Sequence, residues 1–201
     1  MGQHTNKFLI RRQKFRIGAF ESLYLGELAL VAMVIGCALL EFNDQVSIDG
    51  MSYYGVHRKT IPILVLGLLV SIIFFLKAAS RFDTPGVGHS ISMALKVFVS
   101  AAIALFLTPY SVNNYFDLAH KAIGTALFLW QLTLSLDWTL GRVRDRISWL
   151  AILLEVVGGL AALLSLPTNS LGYQLEGQLL FQIGFFTLLN HVSRGIALDK
   201  G

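Results

Sequence analysis

The chain has 201 residues, of which 55% are hydrophobic and only 14% charged, with a mean hydropathy of +0.65. Soluble domains run nearer about 45–50% apolar and about 25% charged, so an ordinary water-soluble domain is excluded. The net charge of +4 and basic isoelectric point would suit a nucleic-acid binder, but the position of the charges points elsewhere. Lys7, Arg11, Arg12, Lys14 and Arg16 precede the first apolar run, and most other basic residues fall at the ends of apolar runs. That is the distribution of topology-setting charges, with anionic lipid headgroups rather than nucleic acid as their partners.

A spanning helix needs about 20 mainly apolar residues to cross a hydrocarbon core of about 30 Å. In chain order, six runs meet or approach this: Ile17–Leu40, Ile61–Ala79, Met93–Thr108, Leu118–Leu136, Ile147–Leu166 and Leu179–Val192. They are continuously apolar and lack the dyadic alternation of a transmembrane barrel. The expected fold is all-α, an integral membrane bundle of six transmembrane helices (17–194) between a basic leader (1–16) and a short tail (195–201). The first run is longer than a signal-peptide core and has no good cleavage site after it, so it reads as a retained span. Cys37, the sole cysteine, lies inside that run and reads as a small buried hydrophobe.

Orientation follows from Lys and Arg. With the N-terminus inside, the cytoplasmic segments hold the five leader residues, then Lys77, Arg81, Lys96, Arg142, Arg144, Arg146, Arg194 and Lys200. Only Arg58, Lys59 and Lys121 fall on the other side. Thirteen against three places both termini in the cytoplasm. The outer loops are then Glu41–Thr60, Pro109–Asp117 and Pro167–Gln178. Trp138, Trp149, Tyr53, Tyr54, Tyr110, Tyr115 and Tyr173 lie near segment ends, the pattern of interfacial aromatic anchors. The compact loops favour a prokaryotic inner membrane.

Ionisable groups within a bilayer are costly and mark candidate functional positions. Glu27 in the first run and Glu155 in the fifth are two, with Gln131 and Lys96 at a similar level as candidate partners. Such residues serve as polar glue between helices or as a proton or ion path. A second group gathers at the outer ends. Asp117 and His120, three residues apart, share one face at the start of the fourth helix, and Asp117 can cap it. Glu41, His57 and Glu176 belong to the same side. His120, Asp117, His57 and Glu41 have the chemistry of zinc ligands, although no HxxxH or HExxH pair supports them. Haem is not expected, because His120 and His191 lie at opposite ends of their helices. Gly158, Gly159, Ala161 and Ala162 make a smooth packing patch. No cofactor is implied by any motif.

The run Ile48-Asp49-Gly50-Met51-Ser52-Tyr53-Tyr54-Gly55, followed by Ile61-Pro62-Ile63-Leu64, resembles six-helix membrane proteins of the damage-regulated autophagy modulator (DRAM) type and similar bacterial families. These carry an Ile-Ser-x-x-Gly element before an apolar helix, to which the closest match here is Ser52 to Gly55, with Met51 in place of the isoleucine. Thr108-Pro109 followed by Asp117-Leu118-Ala119-His120 is the second echo, since those families place a histidine after a proline-ended third helix. The resemblance implies lipid handling and makes Ser52, Gly55, Asp117 and His120 the positions to watch. Three functional readings follow. One is a non-catalytic membrane protein that binds or organises lipid or assembles with other membrane proteins. Another is a membrane-embedded hydrolase or lipid-remodelling enzyme, in which His120 and Asp117 bind metal or act as base with Ser52 or Glu41 assisting. The last is a small proton-coupled carrier using Glu27 and Glu155.

Overall fold

The computed structural model describes residues 3–83, 85–165 and 172–198, with side chains described from residue 18 to residue 195 of these. Among the described residues the structure is entirely helical. The helices are α1 (Gln3–Leu40), α2 (Asp44–Asp49), α3 (Ile61–Phe82), α4 (Val87–Leu107), α5 (Asn114–Gly141), α6 (Arg146–Ser165) and α7 (Gln174–Leu198), with a 3-10 segment at Gly50–Gly55. Residues 1–2 of the basic leader, 167–171 of the third expected outer loop and 199–201 of the tail lie outside the described residues.

The helices begin and end where local chemistry dictates. Pro62 opens α3, where its missing N–H costs nothing. Gly86, at φ +88°, makes the tight turn before α4. The Asn113 side chain caps α5 by accepting from the backbone N–H groups of Tyr115 and Phe116, both at 3.0 Å. This corrects the expectation that Asp117 is the cap: α5 starts a turn earlier, and Asp117 instead accepts from Lys121 Nζ at 2.7 Å. Asp145 caps α6, accepting from Ser148 N at 2.9 Å, and also contacts His191 Nε2. The Ser148 N–H and its other hydrogen bonds hold the Asp145 carboxyl below the ordinary aspartate range.

The long helices pack in two tight pairs, α1 along α3 and α6 along α7, with α4 against α3 and α5 held more lightly between its neighbours. Where helices meet in hydrocarbon there is little hydrophobic drive between them, and small residues that admit close backbone approach supply the attraction. The α6–α7 seam shows this. A Cβ built on Gly158 would lie 2.5 Å from Phe181 N and 2.6 Å from Gly177 O. One on Gly177 would lie 2.6 Å from both Ala162 N and Gly158 O. The main core joins Phe75, Ile91, Leu95, Trp138, Phe185, Leu188 and Leu189; a smaller one at the other end joins Cys37, Val46, Tyr53, Tyr54 and Leu175.

Among the described residues four helices are long and apolar enough to cross a membrane: residues 18–40 of α1, α3, α4 and α6. Their outward surfaces are apolar, as at Leu66, Leu69 and Ile73 of α3 and Leu153, Leu160 and Leu164 of α6. The polar residues that dilute α5 and α7, among them His120, Gln131, Gln178, Gln182 and Asn190, line a cavity between the helices.

The aromatic anchors divide. Trp149, Tyr115 and Tyr173 are exposed, but Trp138, Tyr53 and Tyr54 are buried in the cores, a correction to the expectation of interfacial positions. Trp138 packs near Phe185 and donates from its indole nitrogen to Ser90 Oγ at 3.0 Å. The expected loop 41–60 is likewise structured. Asn43 caps α2 through Val46 N, and Val46 is fully buried.

Candidate functional site

The site is built where the 41–60 segment folds onto the ends of α4, α5 and α7. Gly50 closes α2 at φ +67° and ψ −152°, a conformation open essentially to glycine alone. That turn presents the backbone N–H of Met51 to Gln178 Oε1 of α7 at 2.8 Å. The next residue is Ser52.

Across from it, α4 stops at Leu107 before Thr108-Pro109. Pro109 has no N–H to offer the carbonyl four residues back, so the Leu105 oxygen is left for other donors. Thr108 N, at 3.3 Å, and the His120 ring take up that role. The ring Nδ1 lies 2.8 Å from Thr108 O and 3.2 Å from Leu105 O. Carbonyl oxygens only accept, so Nδ1 carries the proton, and in the neutral ring Nε2 is the acceptor. Ser52 Oγ lies 2.7 Å from Nε2 and therefore donates to it. A hydroxyl, an imidazole and a fixed orienting acceptor thus stand in line, the arrangement of an activated serine nucleophile.

Two hollows meet at this pair. A cleft of about 130 Å³ is lined by Ile48, Asp49, Ser52, Tyr110, Asp117, His120, Lys121 and Gln174. Within it Tyr110 donates to Asp49 Oδ2 at 2.9 Å, and burial together with the Asp49 carboxylate pushes the Tyr110 phenol above its ordinary range. A larger cavity of about 530 Å³ also reaches Ser52, His120, Tyr110, Lys121 and Gln174. All six long helices contribute to its walls, mostly with apolar side chains such as Val34, Leu68, Phe98, Leu105, Phe128 and Phe186. It extends along α7 from Gln174 to Asn190, about 24 Å at 1.5 Å per helical residue.

Its far part is fastened by polar pairs. Asn190 Nδ2 donates to both Glu27 oxygens, at 2.8 and 2.7 Å, and Gln131 faces Gln182 at 3.4–3.5 Å. Glu155 does not line the cavity. It is wholly buried, accepts from Ser135 Oγ at 2.7 Å, and its other oxygen has no partner among the described atoms. Glu27 and Glu155 therefore have separate partners, and Lys96 serves neither, lying 3.6 Å from Asp83. The carboxyl of Asp83 is held low by His89 and Lys96.

The four residues considered as metal ligands are not gathered. Glu41 accepts from Tyr53 Oη at 3.3 Å and lies 3.8 Å from Lys59. His57 stacks on Tyr53 with centroids 3.7 Å apart and bonds its backbone oxygen. Asp117 faces Lys121 and His120 faces Ser52. Among the described residues no three His, Cys, Asp or Glu side chains are placed to hold a metal ion. The reason is local: Tyr53 gathers Glu41 and His57 around its own ring, while its neighbour Ser52 turns to His120.

Ser52 and His120 are thus brought together. Sequence reasoning misses Asn190 as the partner of Glu27, Ser135 as that of Glu155, and Gln178, Tyr110 and Asp49 as the surroundings of Ser52 and His120. Asn190 and Gln178 carried a usable signal, being amides in an otherwise apolar run; Ser135 carried none. Comparison with protein-family profiles, with characterised proteins and with solved structures finds no match to the chain.

Proposed function

We propose that the chain is a six-span integral membrane protein with both termini in the cytoplasm, and that it holds a membrane lipid in its central cavity. The cavity of about 530 Å³ carries this reading. It is long and mostly apolar along its walls; the polar side chains of its far part are bonded to one another, as Glu27 to Asn190 and Gln131 to Gln182, and the end where Ser52, His120 and Lys121 stand is where a lipid headgroup fits. Small-molecule pockets run about 300–1,000 Å³, with mainly apolar walls and a few placed polar groups. The likeness of the Ser52–Gly55 and Asp117–His120 elements to DRAM-type proteins agrees with lipid handling.

Native mass spectrometry of the detergent-purified protein tests it. The wild type retains about one lipid per chain, and Ala102→Trp and Gly124→Trp, which fill the cavity from α4 and α5, release it while keeping helical content. Retention by both variants, or none by the wild type, overturns the reading. Topology is tested in a Cys37→Ala background. Lys59→Cys reacts with an impermeant maleimide in intact cells, and Arg144→Cys reacts only after permeabilisation.

A further inference from the structure

We infer that Ser52 and His120 form a metal-free acyl-transfer dyad that cleaves an ester of the lipid held in the cavity, an inference that rests on the lipid-binding reading above. Three observations carry it. First, Ser52 Oγ is 2.7 Å from His120 Nε2, and the Nδ1 contacts to Thr108 and Leu105 oxygens fix the ring as an acceptor toward Ser52. Second, the serine follows directly on two fixed residues, Gly50 in its glycine conformation and Met51 bonded to Gln178, so its hydroxyl is positioned before substrate arrives. Third, the pair lies where the polar cleft meets the apolar cavity. A bound ester lipid places its acyl chain in the cavity, its headgroup in the cleft, and its ester linkage at the boundary, beside Oγ.

The chemistry balances without a cofactor. Oγ attacks the ester carbonyl carbon as its proton passes to Nε2. The tetrahedral adduct expels the alcohol, which takes the proton from Nε2, leaving an acyl-Ser52 ester. Water then attacks that ester and gives its proton to Nε2, and Ser52 leaves with the proton returned. The net change is ester and water to acid and alcohol. Lys121 and Gln174 line the cleft and are the donors offered to the developing oxyanion. His120 is oriented by backbone carbonyls in place of a carboxylate, so Asp117 has no part in the relay.

A long-chain alkyl fluorophosphonate tests the dyad on the full-length protein in detergent, read by intact mass and peptide mapping, with retained lipid measured on the same samples. The expected result is one label per chain on Ser52, absent in Ser52→Ala and slowed about 100-fold or more in His120→Ala, as loss of a general base requires. Both variants keep their lipid, which shows that they are folded. A wild type that retains lipid but takes no label on Ser52 overturns the dyad and leaves lipid binding standing. Labelling of Ser52 at an undiminished rate in a lipid-retaining His120→Ala also overturns it. Labelling of Ser52 in a wild type that retains no lipid overturns the assignment of an ester lipid as the substrate.

Discussion

The α6–α7 seam makes a quantitative prediction. In Gly158→Ala the new methyl would lie 2.5 Å from Phe181 N and 2.6 Å from Gly177 O, both backbone atoms that no rotamer change can remove. Carbon contacts relax at about 3.5–4.0 Å, so the two helices must part by roughly 1 Å along the seam. Overpacking of this kind costs about 1–3 kcal/mol, and two backbone clashes place it in the upper half of that range. Alanine returns about 0.5–1 kcal/mol of helix propensity. The net expectation is a loss of about 1–2 kcal/mol. Gly195→Ala on α7, where a Cβ meets nothing within 4 Å, isolates the propensity term and stabilises by about 0.5–1 kcal/mol. Because the Gly158 and Gly177 methyls press on the same seam, the double variant costs less than the two single losses together. Reversible unfolding in mixed micelles, followed by circular dichroism, measures all four. A Gly158→Ala protein as stable as Gly195→Ala would refute the close-contact argument. So would strict additivity of the pair.

Three further outcomes are expected. Gly50→Ala forces a Cβ at positive φ to within 2.5 Å of Gln178 Oε1, so it loses about 1–3 kcal/mol; chemical denaturation checks this. Asn190→Leu strips a carboxylate of its donor and costs about 1–3 kcal/mol, whereas Glu27→Leu with Asn190→Leu is close to neutral; a double-mutant cycle separates the two cases. Asp145→Ala loses the α6 cap, about 0.5–2 kcal/mol. Because the folded-state pKa of Asp145 lies below its ordinary 3.8, its contribution is fully present above that value and fades as pH falls through the lowered one. The difference in melting temperature between wild type and Asp145→Ala therefore narrows in acid and is constant near neutrality.

The long helices were legible because apolar run length is a one-dimensional property. Their ends were less so: α5 begins at Asn114, before its apolar run, because Asn113 supplies a cap that hydropathy does not weigh. The 41–60 segment is not legible as helix, since six-residue helices persist only through tertiary support, here the burial of Val46 and the reach of Gln178 from α7. The site was legible as a set of residue types and not as a set of pairs. Ser52 and His120 are 68 positions apart, and nothing local distinguishes the Ser52 hydroxyl from that of Ser47, which meets Glu176 instead. Glu155 shows the same limit, since its partner Ser135 is an ordinary small residue within an apolar helix.

One helix closes several of the polar contacts between elements of the bundle. From one end to the other, α7 meets the Met51 amide through Gln178, Gln131 through Gln182, Glu27 through Asn190 and Asp145 through His191. It also presents the glycines against which α6 lies. Synthesis is vectorial, and segments emerging earlier order themselves first. Glu27, Gln131 and Asp145 are therefore all made before the helix that completes them, and until α7 arrives their polar groups wait for other partners. Assembly has a late committing step, and the nascent chain presents its unmatched carboxylates and amides to whatever machinery surveys half-built membrane proteins. A lesion in α7 is thus expected to act on the amount of protein that matures before it acts on what the mature protein does.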